Sequence, residues 1–339
     1  VQPQTTPTSH PTLADVAAIA GVSVKTASRA LNELDNVSSI TLEKVKKAAD
    51  LVGYRSNRIA RELRVGALSN LVGMVISDLS NPFYAGMASG VEEELTKSGL
   101  DLIIATARDD GDREKDLIES LLERRVRGLI IIPSGHDYSY LHTERKRGFS
   151  FVFADRPPAY LDADVVLADN QGGVSECVSY LVSKGCSRLA LIADKTEIWT
   201  AAERIAGFKK AVVAHGLLSA NSKVISGIHT TEQAEQVAKE LINQNQSYDG
   251  VIATNDLIAI GVGHALATHD TDVHMVSFDE FPASRTMKIP TLNHDPKRIG
   301  KAAAKALLER MENPTKENFI THTLELNLNS VASEDSTYE

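Results

Sequence analysis

Residues 13–32 read LADVAAIAGVSVKTASRALN. The stretch holds almost no large side chains, yet its apolar residues recur at helical spacing. Gly21 interrupts it near the middle. Small residues let two short helices cross closely, and a tight turn between them is the helix-turn-helix arrangement. Thr12 and Asp15 have the form of a capping box, which starts the first helix. Ser23 is placed to cap the second, over about 24–32, and Ser38 a third, over about 39–51 and closed by Gly53. The second helix is expected to bury Ala27, Ala30 and Leu31. It then turns outward Val24, Lys25, Ser28 and Arg29. Lys25 and Arg29 are i,i+4 neighbours that can donate to phosphates or guanine edges.

Charge supports that reading. The 339-residue chain carries a net charge of -9. Its first 66 residues hold nine Lys/Arg and six Asp/Glu, so a small basic module precedes an acidic body. Two cysteines, Cys177 and Cys186, are too few for a disulfide scaffold and read as reduced thiols. The ten histidines are scattered without CxxC or HExxH spacing, so no metal site is expected. The opening VQPQTTPTSHP is polar, with no positive head or apolar run, and residues 1–11 read as a disordered tail. No apolar run is long enough to cross a bilayer. The expected location is cytoplasmic.

From Asn70 the rhythm changes. Short apolar runs at 71–77, 100–106, 128–134, 149–154, 164–169, 188–193, 250–254 and 273–278 alternate with helical segments. Such alternation implies parallel sheets with helices on both faces. There are too many units for one compact domain, so two similar lobes are expected, meeting near residues 167 and 291. Ligands of open α/β sheets sit beyond the carboxyl ends of the strands. Those positions hold Asp78 to Phe83, Arg108-Asp109, Asp155-Arg156, Asp194, Asn255-Asp256 and Asp279-Glu280. Any one of these reads equally well as a helix cap or turn residue. Together with Phe83 and Tyr84 they supply what a sugar needs, hydroxyl partners and an aromatic face. There is no G-x-S-x-G elbow, GxGxxG fingerprint or P-loop, and no catalytic residue is assigned.

TLADVAAIAGVSVKTASRALN, with GYRSN and ARELRVG after it, resembles the headpiece of the lac repressor family of bacterial transcription regulators. SNPFYAGMASGVEEEL, RRVRGLIIIPS, ERIAGF, TNDLIAIG and SFDE carry the resemblance to about residue 329. The resemblance implies an all-α headpiece at 12–56 and a hinge helix and linker at 57–66. It also implies a two-lobed α/β core at 67–329, similar to periplasmic sugar-binding proteins, and a C-terminal tail at 330–339. Lobe 1 is expected at about 69–166 and 293–318, and lobe 2 at about 167–292 and 319–329. The helix over 296–312 should return to lobe 1, and a final strand near 324–328 should belong to lobe 2.

DNA contacts implied by the resemblance fall on Thr12, Ser23, Val24, Lys25, Thr26, Ser28, Arg29, Asn32, Tyr54, Asn57, Arg58, Arg61 and Leu63. Leu63 matches the hinge leucine that wedges a base step in the minor groove. Ser56 stands where the family usually has proline, so the hinge starts without that preset. Effector contacts carried over, with the neighbouring candidates, are Asn81, Phe83, Tyr84, Arg108, Asp155, Trp199, Arg204, Asn255 and Asp279. Arg204 is expected to fork onto ligand hydroxyls. The expected protein is a repressor of carbon-source or nucleoside genes, a homodimer on a palindromic operator, controlled by a sugar, polyol or nucleoside. No other cofactor or membrane is expected. A regulator governed by a phosphocarrier protein or a phosphorylated metabolite is the alternative, and a solute-binding protein a remote one.

Overall fold

The computed structural model describes residues 11–31, 37–55, 69–217, 221–243, 248–281, 283–315 and 318–329. The chain divides into two units, Val1–Ser69 and Asn70–Glu339.

The first unit has three described helices, α1 (Leu13–Ala20), α2 (Val24–Leu31) and α3 (Ser39–Val52). Each starts where its cap residue predicts. The Thr12 hydroxyl accepts from the Asp15 amide at 3.3 Å, and the Asp15 carboxylate accepts from the Thr12 amide at 2.7 Å. Ser23 Oγ accepts from the Thr26 amide at 3.1 Å, and Ser38 Oγ from the Thr41 amide at 3.3 Å. Gly21 ends α1 at φ 66°, a left-handed conformation that lets the chain turn at once into α2. The core is Val16 and Ala17 of α1, Ala27 and Ala30 of α2, and Val45, Ala48 and Ala49 of α3. Alanines at the crossing are what let three short helices bury one another.

The second unit contains two six-stranded sheets. Its strands are β1 (Leu71–Ile76), β2 (Asp101–Thr106), β3 (Gly128–Ile131), β4 (Ser150–Ala154), β5 (Asp164–Ala168), β6 (Leu189–Ile192), β7 (Ser222–Ile225), β8 (Gly250–Ala253), β9 (His274–Ser277), β10 (Thr291–Leu292), β11 (Thr321–Leu324) and β12 (Leu328–Asn329). The helices are α4 (Pro82–Lys97), α5 (Gly111–Glu123), α6 (His142–Lys146), α7 (Asn170–Ser183), α8 (Trp199–Ala214), α9 (Thr231–Asn243), α10 (Asp256–Ala267) and α11 (Pro296–Glu312). The first sheet runs β11-β5-β4-β3-β1-β2 and the second β12-β10-β9-β8-β6-β7. All pairings are parallel except β10 with β12.

Period-two alternation sorts the side chains. Val72, Met74 and Ile76 pack with Met87 and Val91 of α4 and with Ile299, Ala303 and Leu307 of α11. Val75 faces the other way, toward Ile118 and Leu121 of α5. The second sheet likewise packs α7 and α8 on one face, through Cys177, Leu181 and Phe208, and α9 and α10 on the other. Both thiols are free and buried, and burial pushes each up, Cys186 to about 11. Helices α4 and α11 approach so closely that a Cβ on Gly90 would collide with the Lys297 carbonyl oxygen, and one on Gly300 with that of Met87.

Four strands differ from the sequence expectation: β7, β10, β11 and β12. Thr321–Leu324 pairs with β5 in the first sheet, so 319–329 is not wholly in lobe 2, and of the strand expected near 324–328 Leu324 ends β11, 325–327 is the crossing and Leu328 begins β12. Only Leu328–Asn329 joins the second sheet, antiparallel to β10. The half-buried edge strand β7 and the two-residue β10 are too short or too polar to show periodicity. The described chain passes between the sheets at Asp169, at 293–295 and at 325–327. A buried fork anchors the return: Arg310 of α11 donates through Nε and Nη2 to the Asp164 carboxylate at 2.5 and 2.9 Å, and the Ile320 amide donates to the same group at 2.9 Å.

Candidate functional site

In the first unit, α2 presents the face expected of it. Ala27 and Ala30 are buried, Leu31 is half-buried, and Val24, Lys25 and Arg29 are exposed. Ser28 is half-buried beside them. Other expected contacts carry structural duties. Thr12 and Ser23 are helix caps, and Thr26 Oγ1 lies 2.8 Å from Ser23 Oγ within the cap. Tyr54 is half-buried against the three-helix core rather than displayed. Asn32, Ser56, Asn57, Arg58, Arg61, Leu63 and Arg64 lie outside the described residues.

In the second unit, the carboxyl ends of the strands of both sheets converge on one cavity of about 230 Å³. In each sheet the chain reverses its direction of strand addition there, at β1/β3 and at β6/β8, which is where open α/β sheets bind ligands. The first sheet contributes Asp78, Asn81, Phe83, Tyr84, Asp109, Asp155 and Arg156. The second contributes Asp194, Thr200, Arg204, His229, Asn255, Asp256 and Asp279. His294, on the segment crossing between the sheets, completes the wall.

Seven of the nine expected effector residues line this cavity: Asn81, Phe83, Tyr84, Asp155, Arg204, Asn255 and Asp279. Arg108 and Trp199 do not. Arg108 is exposed and sits with Asp109 at left-handed φ angles of 59° and 56°; of the two it is Asp109 that reaches the wall. Trp199 is half-buried at the first turn of α8, while its neighbours Ile198 and Thr200 line the cavity.

The polar groups are held by one another. Asn81 caps α4, its Oδ1 accepting from the Phe83 amide at 2.8 Å. Arg156 donates to the Tyr84 hydroxyl at 2.9 Å, to the Pro133 carbonyl at 3.0 Å and to Asp155 at 3.2 Å. Burial raises the Tyr84 hydroxyl well above its usual range. Asp155 has φ 67°, a strained value for a non-glycine that places its carboxylate beside Arg156. Asp194 accepts from Asn255 at 3.4 Å and lies 2.9 Å from His229 Nδ1.

Arg204 departs from the expectation of a free fork. Its Nε donates to Asn170 Oδ1 at 2.8 Å and its Nη1 to the Thr254 carbonyl, and its guanidinium lies 3.7 Å from the Phe278 ring centroid. Two of five N–H donors are thus committed inside the lobe. Burial is the strongest influence on Asp279 and pushes its carboxyl up. The His294 ring and Arg204 together outweigh it and hold the group below the usual carboxylate range. Burial, followed by the neighbouring charge of Asp279, pushes Asp256 up to about 6, against the smaller opposing pull of the Leu257 amide and of Arg204.

Sequence reasoning missed His294 and His229. His294 follows a two-residue strand and precedes a helix, and only LNHDP, a turn with a cap, marked the place. Among the described residues no group of His, Cys, Asp and Glu is arranged to hold a metal ion, and no helix is long and apolar enough to cross a membrane.

A helix-turn-helix unit together with two sheets meeting at a polar cavity defines a ligand-responsive, DNA-binding regulator. Residues 12–57 match the model of bacterial regulatory proteins of the lacI family, and residues 69–326 that of periplasmic binding proteins and the sugar binding domain of the LacI family. The chain is 30% identical over 321 residues to the transcriptional regulator CelR of Thermobifida fusca, covering 91% of this chain and 94% of that one. It is 28% identical over 319 residues to the transcriptional repressor PurR of Vibrio atlanticus (strain LGP32), covering 90% and 93%. A solved complex of the regulator CelR with cellobiose superposes with a TM-score of 0.65, at 28% identity, covering 94% of this chain and 98% of that one. The chain belongs to the LacI family of bacterial regulatory proteins, transcriptional repressors whose core domain binds small molecules.

Proposed function

We propose that this repressor binds a palindromic operator as a homodimer through α2, with Lys25 and Arg29 at the bases or phosphates. Its effector is a small, neutral, polyhydroxylated molecule held in the cavity between the two sheets, and the genes it controls serve use of a carbon source or nucleoside. The observation that carries the choice of effector is the charge of the wall. Six aspartates (Asp78, Asp109, Asp155, Asp194, Asp256 and Asp279) face two arginines, and among the described residues no lysine lines the cavity. Both arginines already have protein partners. A phosphorylated metabolite entering there meets net repulsion, whereas hydroxyls find acceptors on several sides. The volume, about 230 Å³, lies below the ~300–1,000 Å³ usual for larger ligands. It suits a monosaccharide, a polyol or a nucleoside.

Effector binding and operator binding are linked, and the linkage is reciprocal: whatever factor the effector imposes on operator affinity, the operator imposes on the effector. The test uses full-length protein. Melting temperature is recorded against sugars, polyols, nucleosides and phosphorylated sugars, because a ligand of the native state raises stability by mass action. A hit among neutral compounds, which then shifts operator affinity, supports the reading. Protection by phosphorylated sugars alone refutes it.

A further inference from the structure

Four buried side-chain polar atoms among the described residues have no hydrogen-bond partner: Ser134 Oγ, Tyr140 OH, Ser222 Oγ and His294 Nε2. Only the last belongs to a residue of the cavity wall. A buried, unpaired nitrogen is costly, and its persistence in a folded protein calls for a partner. The rest of the His294 side chain is fully engaged. Its side chain is 1% exposed, its Nδ1 lies 2.6 Å from Asp279 Oδ1, and it stacks on Phe83 with centroids 5.0 Å apart and meets Phe278 edge-on at 5.2 Å. Asp279 is held as a carboxylate, which can only accept, so Nδ1 carries the proton and donates. The neutral ring therefore offers Nε2 as an acceptor, and the protonated ring offers it as a donor.

We propose that His294 is a specificity-determining residue of the effector site and that its Nε2 takes a hydroxyl of the bound effector. A hydroxyl fits because it can donate to the neutral ring or accept from the protonated one. A carbon-bound hydrogen at the same place leaves the nitrogen unpaired. The position of His294 gives this bond a second consequence. The residue lies on the segment that leaves β10 of the second sheet and enters α11, which packs on the first. Its ring touches Phe83 from one lobe and Asp279 from the other. An effector that engages Nε2 thereby engages the crossing itself. This assignment rests on the reading of the cavity as the effector site.

The experiment measures Kd on full-length protein, first for D-glucose, D-ribose, cellobiose, sorbitol and guanosine, then for the monodeoxy analogues of whichever compound binds. His294→Asn keeps a side-chain N–H for Asp279 and removes the ring nitrogen. Arg204→Lys keeps the charge and loses the fork. Unchanged far-UV spectra and a cooperative melting transition establish that each variant is folded. The expected result is a loss of about 5- to 100-fold on His294→Asn. One monodeoxy analogue should show the same loss on the wild type and little further loss on the variant, as coupled partners do. If Arg204→Lys weakens binding while His294→Asn does not, the cavity reading stands and the role of His294 is refuted. If no compound binds the wild type, or if neither variant changes affinity, the effector-site reading falls and the role of His294 with it.

Discussion

Replacing Arg204 by alanine should cost stability before it costs anything else. The side chain is 6% exposed. Its removal strips Asn170 Oδ1 and the Thr254 carbonyl of their donor and takes the cation off the face of Phe278. Each buried acceptor left unpaired costs about 1–3 kcal/mol. Asp279, which Arg204 helps to keep ionised, loses a counter-charge as well. A total of about 3–5 kcal/mol is expected, the range for breaking one side of a buried charged network. Trp199 is the chain's single tryptophan and heads the same helix, five positions before Arg204, so its fluorescence follows unfolding of this lobe. With a urea slope of about 2 kcal/mol/M, the midpoint should fall by roughly 1.5–2.5 M at an unchanged slope. Arg204→Lys should lie in between, since a lysine supplies a charge but cannot reach both acceptors in the same geometry. An Arg204→Ala midpoint within about 0.3 M of the wild type would falsify the internal role argued for this residue. Arg204 would then revert to a free ligand donor.

Three further outcomes follow from particular contacts. Gly90→Ala pushes a methyl into the Lys297 carbonyl; despite alanine's better helix propensity, overpacking of about 1–3 kcal/mol should lower the melting temperature by a few degrees. Burial and the neighbouring Asp279 push Asp256 up to about 6 in the folded chain, from an ordinary carboxyl value of 3.8. Its folded value is the higher one, so it adds stability below pH 3.8 and that contribution is lost as pH rises through 6. Asp256→Asn should therefore gain about 2–3 kcal/mol at pH 7, seen as a higher melting temperature, with the gain vanishing as the buffer is taken from pH 7 toward 4. On the headpiece, Lys25→Ala and Arg29→Ala should each weaken binding to an operator selected from a random DNA library. Loss confined to the selected sequence marks a base contact, and uniform loss with a shallower salt dependence marks a phosphate contact.

The parts legible in the sequence are those where one local rule acts alone. Thr12, Ser23, Ser38, Gly21 and Gly53 set the headpiece helix ends through capping chemistry that needs no distant partner. Buried parallel strands announce themselves as apolar runs, and the strand-end rule then finds Asp155, Asn255 and Asp279. It fails where the answer depends on backbone direction or on a distant residue. Arg108 and Asp109 are adjacent charged residues past the same strand, and only two left-handed φ angles decide that Asp109 reaches the wall. Thr321–Leu324 joins the first sheet because β5 offers it an open edge and Asp164 with Arg310 holds its entry. No periodicity within the segment encodes that choice.

Arg204 and His294 carry the same lesson into the site. Each is a polar group beside the cavity, and a sequence ranks them by chemical type, so arginine is noticed first. The structure ranks them by what is left over. Arg204 has spent two donors on its own lobe, while His294 has spent one nitrogen on Asp279 and kept the other unpaired. A site is specific where a buried group goes unsatisfied without its ligand, because there a missing hydroxyl costs the most. On that criterion, the proposed effector site draws its discrimination from the histidine on the crossing segment, and the arginine chiefly holds the wall.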